Sequence, residues 1–161
     1  MSSGHIRLAQ ADTPERVAIA RALFREYALA IGSDLDFQGF SAELRALPGP
    51  YSPPAGALLI AQAGEAIAGC VALRSLDRHT GEMKRLYVRP DHRSGGLGER
   101  LVQAVIDAAC AAGYRELRLD TLPTMTAAQG LYRRLGFLEI PPYGDKALPG
   151  TRFFARPLPA G

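Results

Sequence analysis

Several things are scarce in this chain. Two of its 161 residues are cysteine, Cys70 and Cys110, in the apolar runs "IAGCVAL" and "IDAACAAG". Thiols in such company read as buried side chains, and their sparing use fits a reducing, cytoplasmic setting. No segment approaches the roughly 18 consecutive apolar residues of a membrane helix, so no membrane partner is expected. The opening "MSSGHIRLAQ" lacks the apolar stretch of a signal peptide, which argues against secretion. Of 19 basic residues only Lys84 and Lys146 are lysine, the other 17 being arginine. They are interleaved with 16 acids along the whole chain, so the net charge of +3 favours small anionic partners over nucleic acid. His5, His79 and His92 are scattered, and no spacing of His, Cys and Asp suggests a metal site. Repeats, low-complexity tracts and linkers are also missing. What remains, 47% apolar and 22% charged, reads as one soluble globular domain over 1–161.

Periodicity divides that domain. "HIRLAQ" (5–10) alternates like a strand. Thr13-Pro14 supplies a cap and a first-turn proline. Val17, Ala20, Phe24, Tyr27, Ala28 and Ile31 then recur at helical spacing over 14–31, and Gly32 ends the helix. A shorter helix is expected over 38–47, and the prolines of "PGPYSPPAG" (48–56) exclude regular structure there. "ALLIAQ" (57–62) and "AIAGCVALRSL" (66–76), split by Gly64-Glu65, read as a hairpin. "GEMKRLYV" (81–88) is a third strand. From Gly96 the period changes to helical, with Leu97, Leu101, Ala104, Val105, Ala108 and Ala112 on one face and Gly113 beyond its end. "YRELRLDTL" (114–122) is a strand, and a helix follows it, with Thr126 and Gln129 as a capping box and Gly136 as its stop. Short strands are expected at 137–140 and 151–156. This order predicts a single mixed α/β layer system of six or seven strands and about four helices.

The stretch "RPDHRSGGLGERL" (89–101) carries more chemistry than a turn requires. It lies between a strand and a helix, so loop amides and the helix's first unpaired N–H groups point the same way. With the positive end of the helix dipole they make an anion cradle. Glycine at 95, 96 and 98 leaves the backbone open to phosphate oxygens, and Arg93 can add a charge-assisted contact. A pyrophosphate suits such a cradle. Glu99-Arg100 after Gly98 excludes a P-loop, which needs Lys-Ser/Thr there. "GLGERL" meets only two of the three glycines of a dinucleotide fingerprint and follows three consecutive strands.

The pattern Arg93-x-x-Gly96-x-Gly98, preceded by "MKRLYVRPDHR" and followed by "AAQGLYRRLGF", resembles the GNAT superfamily of acetyl-CoA-dependent N-acetyltransferases, in its bacterial small-molecule form. The resemblance spans "HIRLAQ" to "RFFARPL". It implies a mostly antiparallel central sheet, acetyl-CoA as cosubstrate and a small-molecule amine as acceptor; dimers are common among such relatives, and whether this chain forms a homodimer stays open. It further implies that the backbone of Leu86, Tyr87 and Val88 receives the pantetheine arm as an extra strand would. The pyrophosphate would then rest on the amides of Arg93, Ser94, Gly95, Gly96, Leu97 and Gly98, with Glu99 just inside the helix.

The implied reaction is attack of a neutral amine on a thioester carbonyl. An alkylamine with a pKa near ~10 is mostly protonated at neutral pH, so a base or a proton wire helps. Tyr132, in "GLYRRLGF", matches the family's general-acid tyrosine, although Leu131, Tyr132 and Leu135 also read as a core stripe. Glu82 matches the place of a carboxylate base in some relatives; Asp120 and a water chain are the alternatives. Strand alternation puts Glu82, Lys84, Leu86 and Val88 on one face. Arg74, Arg85 and Arg118 are candidates to flank the acceptor, and the stiff loops with Tyr51-Ser52-Pro53-Pro54 and Pro141-Pro142-Tyr143 to wall it. Two rival readings stay open: a non-catalytic acyl-CoA-binding module, and an oxidoreductase using "GLGERL" for a dinucleotide.

Overall fold

Thr13 caps the first helix as its position suggests: its Oγ1 accepts the Arg16 N–H at 3.2 Å, Pro14 opens the first turn, and Gly32 closes the last at φ 67°. The computed structural model describes residues 5–32, 39–144 and 147–159. Its elements run β1 (Ile6–Gln10), α1 (Pro14–Ile31), α2 (Phe40–Ala46), β2 (Ala57–Ala63), β3 (Ala66–Ser75), β4 (Thr80–Val88), α3 (Leu97–Ala111), β5 (Glu116–Thr121), α4 (Thr126–Arg134), β6 (Leu138–Ile140) and β7 (Arg152–Pro157). The expected start of the second helix, residue 38, lies outside the described residues. The proline-rich 48–56 segment is not wholly irregular, since Gly49–Tyr51 forms one 3-10 turn.

The strands form one sheet in the order β1-β2-β3-β4-β5-β7-β6. Among the described residues β4 and β5 are its only parallel neighbours. Two apolar layers cover the two faces. On one, α3 buries Leu97, Leu101, Val102, Val105 and Ile106 against Val71, Leu73 and Met83, with Phe137 and Phe154 beneath α4. On the other, Leu23 and Phe24 of α1 and Phe40 and Leu44 of α2 pack on Leu58, Ile60, Cys70 and Tyr87. Each large aliphatic side chain so buried contributes about 1.5–3 kcal/mol.

Two local features differ from the sequence pattern. Thr126 is not a cap but the first residue of α4; Met125 precedes it without a side-chain bond, and Gln129 Nε2 donates to the Leu122 carbonyl at 2.9 Å instead. The buried amide serves the β5–α4 turn better than it would serve the helix end. In β4 the alternation breaks. Ala72 pairs with Lys84 and Cys70 with Tyr87, so one extra residue of β4 bulges between them, with Arg85 at φ 59°. A bulge of this kind inverts the phase of the strand. Leu86 and Val88 therefore pack toward α3, with Met83, and Tyr87 packs toward α1. Glu82 and Lys84 do not share their face with Leu86 and Val88.

Candidate active site

The β4–β5 pairing has only three rungs: Thr80 with Glu116, Gly81 with Leu117, and Glu82 with Arg118. Beyond Glu82 and Arg118 the strands part, leaving the β5-facing backbone of Met83–Val88 without a ladder partner. A gap lined by Met83, Leu86, Leu119, Thr121, Met125 and Tyr132 occupies the fork. Tyr132 stands there among Phe137 and Phe154, with ring centroids 5.9 and 6.2 Å away. Its ring is core, as the apolar stripe suggested, while its hydroxyl has no hydrogen-bond partner among the described residues. Burial pushes its phenol pKa well above the usual value, reinforced by Tyr27 and Asp120 nearby. The hydroxyl therefore stays neutral and able to donate. Thr121 Oγ1, also at the fork, is buried with no hydrogen-bond partner among the described residues.

The glycine loop lies at the end of β4. One 3-10 turn (Pro90–His92) leads into it, Ser94 and Gly96 adopt φ 72° and 80°, and α3 begins at Leu97. The first loop-to-helix bond is Arg100 N–H to the Gly96 carbonyl at 3.2 Å. Among the described residues the N–H groups of Ser94, Gly95, Gly96, Leu97, Gly98 and Glu99 have no acceptor. Arg93 is different: its amide donates to Pro90 at 3.4 Å, and its Nε to the Val88 carbonyl at 2.9 Å. A Cβ built on Gly95 or Gly96 would meet nothing within 4 Å, so packing within the chain does not demand glycine at 95. At Gly98 a Cβ would touch Leu131 Cδ2 at 3.5 Å, which places α4 against the first turn of α3. Loop and Tyr132 thus border the same fork. A run of free amides at a helix N-terminus is the arrangement that holds phosphate oxygens.

Across the sheet, on the α1/α2 side, a cavity of about 270 Å³ is lined by charged groups and by Tyr51, Tyr143 and Phe153. Glu82 is 2% exposed. Its Oε1 accepts from Arg74 Nε at 2.8 Å and its Oε2 from the Tyr143 hydroxyl at 2.7 Å. Burial and this carboxylate push the Tyr143 pKa far up. Lys84 Nζ lies between two carboxylates, 4.0 Å from Glu82 and 3.9 Å from Asp120. Arg85 donates from Nε and Nη2 to Glu43 at 2.9 and 2.8 Å, with its guanidinium 5.1 Å from the Phe40 ring centroid. Arg118 forms an ion pair with Glu116 and stacks on Tyr143 at 5.1 Å.

Most of the residues singled out from the sequence therefore gather in two places. Tyr132, Leu86 and residues 94–99 border the fork on the α3 side; Glu82, Arg74, Arg85 and Asp120 line the cavity on the other. Of the two stiff loops, Tyr51 and Tyr143 reach the cavity lining. Glu43 belongs to it as well, and sequence offered no signal for it beyond one acid in a short helix. Histidine stays outside both places, and no cluster of metal-ligating side chains occurs among the described residues.

This geometry belongs to an acetyltransferase fold. The Acetyltransferase (GNAT) family profile matches residues 18–137, and the chain belongs to that family. An uncharacterized N-acetyltransferase of Schizosaccharomyces pombe is 36% identical over 153 residues, covering 94% of each chain. Among solved structures, a GNAT family acetyltransferase from Staphylococcus aureus superposes with a TM-score of 0.78 at 23% identity, over 96% of this chain and 100% of that one. A GNAT family acetyltransferase from Elizabethkingia anophelis with acetyl-CoA bound gives 0.64 at 21% identity, over 98% and 100%.

Proposed function

We propose that this chain is an acetyl-CoA-dependent N-acetyltransferase that moves an acetyl group directly to a primary amine in a ternary complex. The observation that carries the reading is the run of free amides from Ser94 to Glu99 beside the fork in the sheet. The Elizabethkingia relative, which holds acetyl-CoA, supports the choice of donor. Acetyl-CoA supplies an activated acyl group and a thiolate leaving group. The pyrophosphate sits on the Ser94–Glu99 amides, and the pantetheine arm lies along the β5-facing backbone edge of Leu86, Tyr87 and Val88, where Arg93 Nε already holds the Val88 carbonyl. An exposed Arg93, its terminal nitrogens without a partner among the described residues, completes the anion contacts.

The acceptor enters from the cavity on the opposite side. Its nitrogen attacks the thioester carbon, the carbon–sulfur bond breaks, and the neutral Tyr132 hydroxyl protonates the departing sulfur. The amine's proton leaves toward a carboxylate. Glu82 is a poor recipient because Arg74 and Tyr143 occupy its two oxygens. Asp120 Oδ1 has no partner among the described residues and lies at the junction of cavity and fork, so Asp120, directly or through water, fits the base role better, with Glu82 orienting Arg74 and Tyr143. The dinucleotide reading loses ground because the loop follows the fourth strand of the sheet, not the first of a βαβ series.

Thermal-shift titration tests the donor and thiol release tests the chemistry. Acetyl-CoA should raise the melting temperature while NAD and FAD do not, and some member of an amine panel should drive release of free thiol. No stabilisation by acetyl-CoA would sink the reading. Stabilisation without thiol release from a broad panel would favour an acyl-CoA-binding module.

A further inference from the structure

Most charges lining the 270 Å³ cavity are already satisfied by one another. Arg85 is cancelled by the two-point grip of Glu43, and Glu82 by Arg74 and Tyr143. Two charges are only loosely paired, with each other and with Glu82. Lys84, its side chain only 13% exposed, has its ammonium 3.9 and 4.0 Å from the nearest carboxylates, beyond hydrogen-bonding distance of either. Asp120, 31% exposed, faces it, with no hydrogen bond of its own among the described residues. A largely buried ammonium without hydrogen bonds is costly unless something supplies acceptors. Arg74 adds a third unspent group: Nε and Nη2 go to Glu82, and Nη1 has no partner among the described residues.

We propose, on the acetyltransferase reading above, that the acceptor is an amino-acid-like zwitterion whose carboxylate binds Lys84 and the outer edge of Arg74 and whose amine lies against Asp120. The match is one of sign and of spacing. A cation and an anion paired loosely about 4 Å apart, without a hydrogen bond between them, complement a molecule carrying an anion and an amine on neighbouring carbons. Among the described lining residues, Arg74, Lys84 and Arg85 balance Glu43, Glu82 and Asp120. A net-neutral site disfavours polyamines, which need surplus carboxylates, and polyanionic acceptors alike. Asp120 also borders the fork, so an amine held there faces the donor. Tyr51, Tyr143 and Phe153 give the acceptor's side chain an aromatic wall.

The test uses matched acceptors with the full chain and acetyl-CoA: an amino acid, its carboxamide and the amine lacking the carboxyl group, in an aromatic and a small aliphatic series. The amino acid should exceed both partners in kcat/KM by about 100-fold or more, as sites built around a polar contact discriminate. Lys84→Met should erase most of that preference, chiefly through KM, while leaving acetyl-CoA affinity unchanged; retained acetyl-CoA binding also shows that the variant folds. Equal use of all three acceptors, or a preference that survives Lys84→Met, overturns the proposal and leaves the transferase reading standing. Acetyl-CoA binding with no acceptor of the panel acetylated overturns it too. Failure of the wild-type chain to bind acetyl-CoA removes the transferase reading itself.

Discussion

Arg85 and Glu43 form a buried two-point ion pair that ties helix α2 to the bulge of β4, the side chains being 5% and 15% exposed. The pair does more than join two elements. Arg85 holds a left-handed φ of 59°, a conformation that costs a non-glycine residue free energy and persists only where surroundings over-determine it. Two hydrogen bonds to Glu43 and the rings of Phe40 and Tyr27 do so here. The bulge in turn puts Leu86 and Val88 on the α3 face.

Glu43→Ala leaves the Arg85 charge buried without a partner and should cost about 3 kcal/mol. Denaturant unfolding measures this. Acetyl-CoA affinity should fall as well, because the β4 edge loses its anchor. A loss under about 0.5 kcal/mol would mean that the pair is incidental.

Tyr132→Phe removes a hydroxyl that has no hydrogen-bond partner among the described residues while keeping the ring among Phe137 and Phe154. Stability and acetyl-CoA affinity should hardly change. The acetylation kcat should drop by about 100-fold, within the range for general acid catalysis. Unchanged kcat would remove Tyr132 from the chemistry.

At Gly95 a side chain would meet open space and the residue does not sit at positive φ, so Gly95→Leu should leave the melting temperature of the free protein unchanged. The same side chain would stand in the place given to the pyrophosphate, weakening acetyl-CoA by about tenfold or more, equivalent to about 1.4 kcal/mol. Calorimetry distinguishes the two effects. Unaltered affinity would place the diphosphate elsewhere.

Glu26 provides a pH signature remote from the chemistry. Its bond to Arg89 Nη2 at 2.6 Å holds its carboxyl below the ordinary 4.5, with help from Tyr87 and against partial burial. A carboxylate whose folded pKa is lowered stabilises above its unfolded value and loses that contribution as pH falls through the folded one. Glu26→Gln should therefore destabilise by about 0.5–1 kcal/mol at pH 7, the half-exposed pair being screened by solvent. The gap between the two proteins should close as pH falls below 4.5. A gap that persists in acid would assign the effect to packing.

Much of the architecture was legible because local signals agreed: Thr13-Pro14 before α1, Gly64-Glu65 between β2 and β3, and the change of period from Gly96, which caps α3. The phase reversal in β4 was not. Arginine carries no mark of positive φ, and the residues that force the bulge lie on α1 and α2, far away in sequence. The capping box misled for a similar reason, since Gln129 found a better tertiary partner in the Leu122 carbonyl. At the site, residue types and rough location could be read from the chain. Which carboxylate remained free could not, because Tyr143 reaches Glu82 across 61 positions and Arg74 across eight.

The three-rung seam between β4 and β5 has a mechanical consequence. Strands β1–β4 and β5–β7 are two half-sheets joined by a short parallel stitch, with the fork open above it. A ligand lying in that fork and bonding to one flank would act as a clasp as well as a reagent. Hydrogen exchange at Met83–Val88 and Leu119–Thr121 would then slow together when the clasp is in place and quicken together when the product departs.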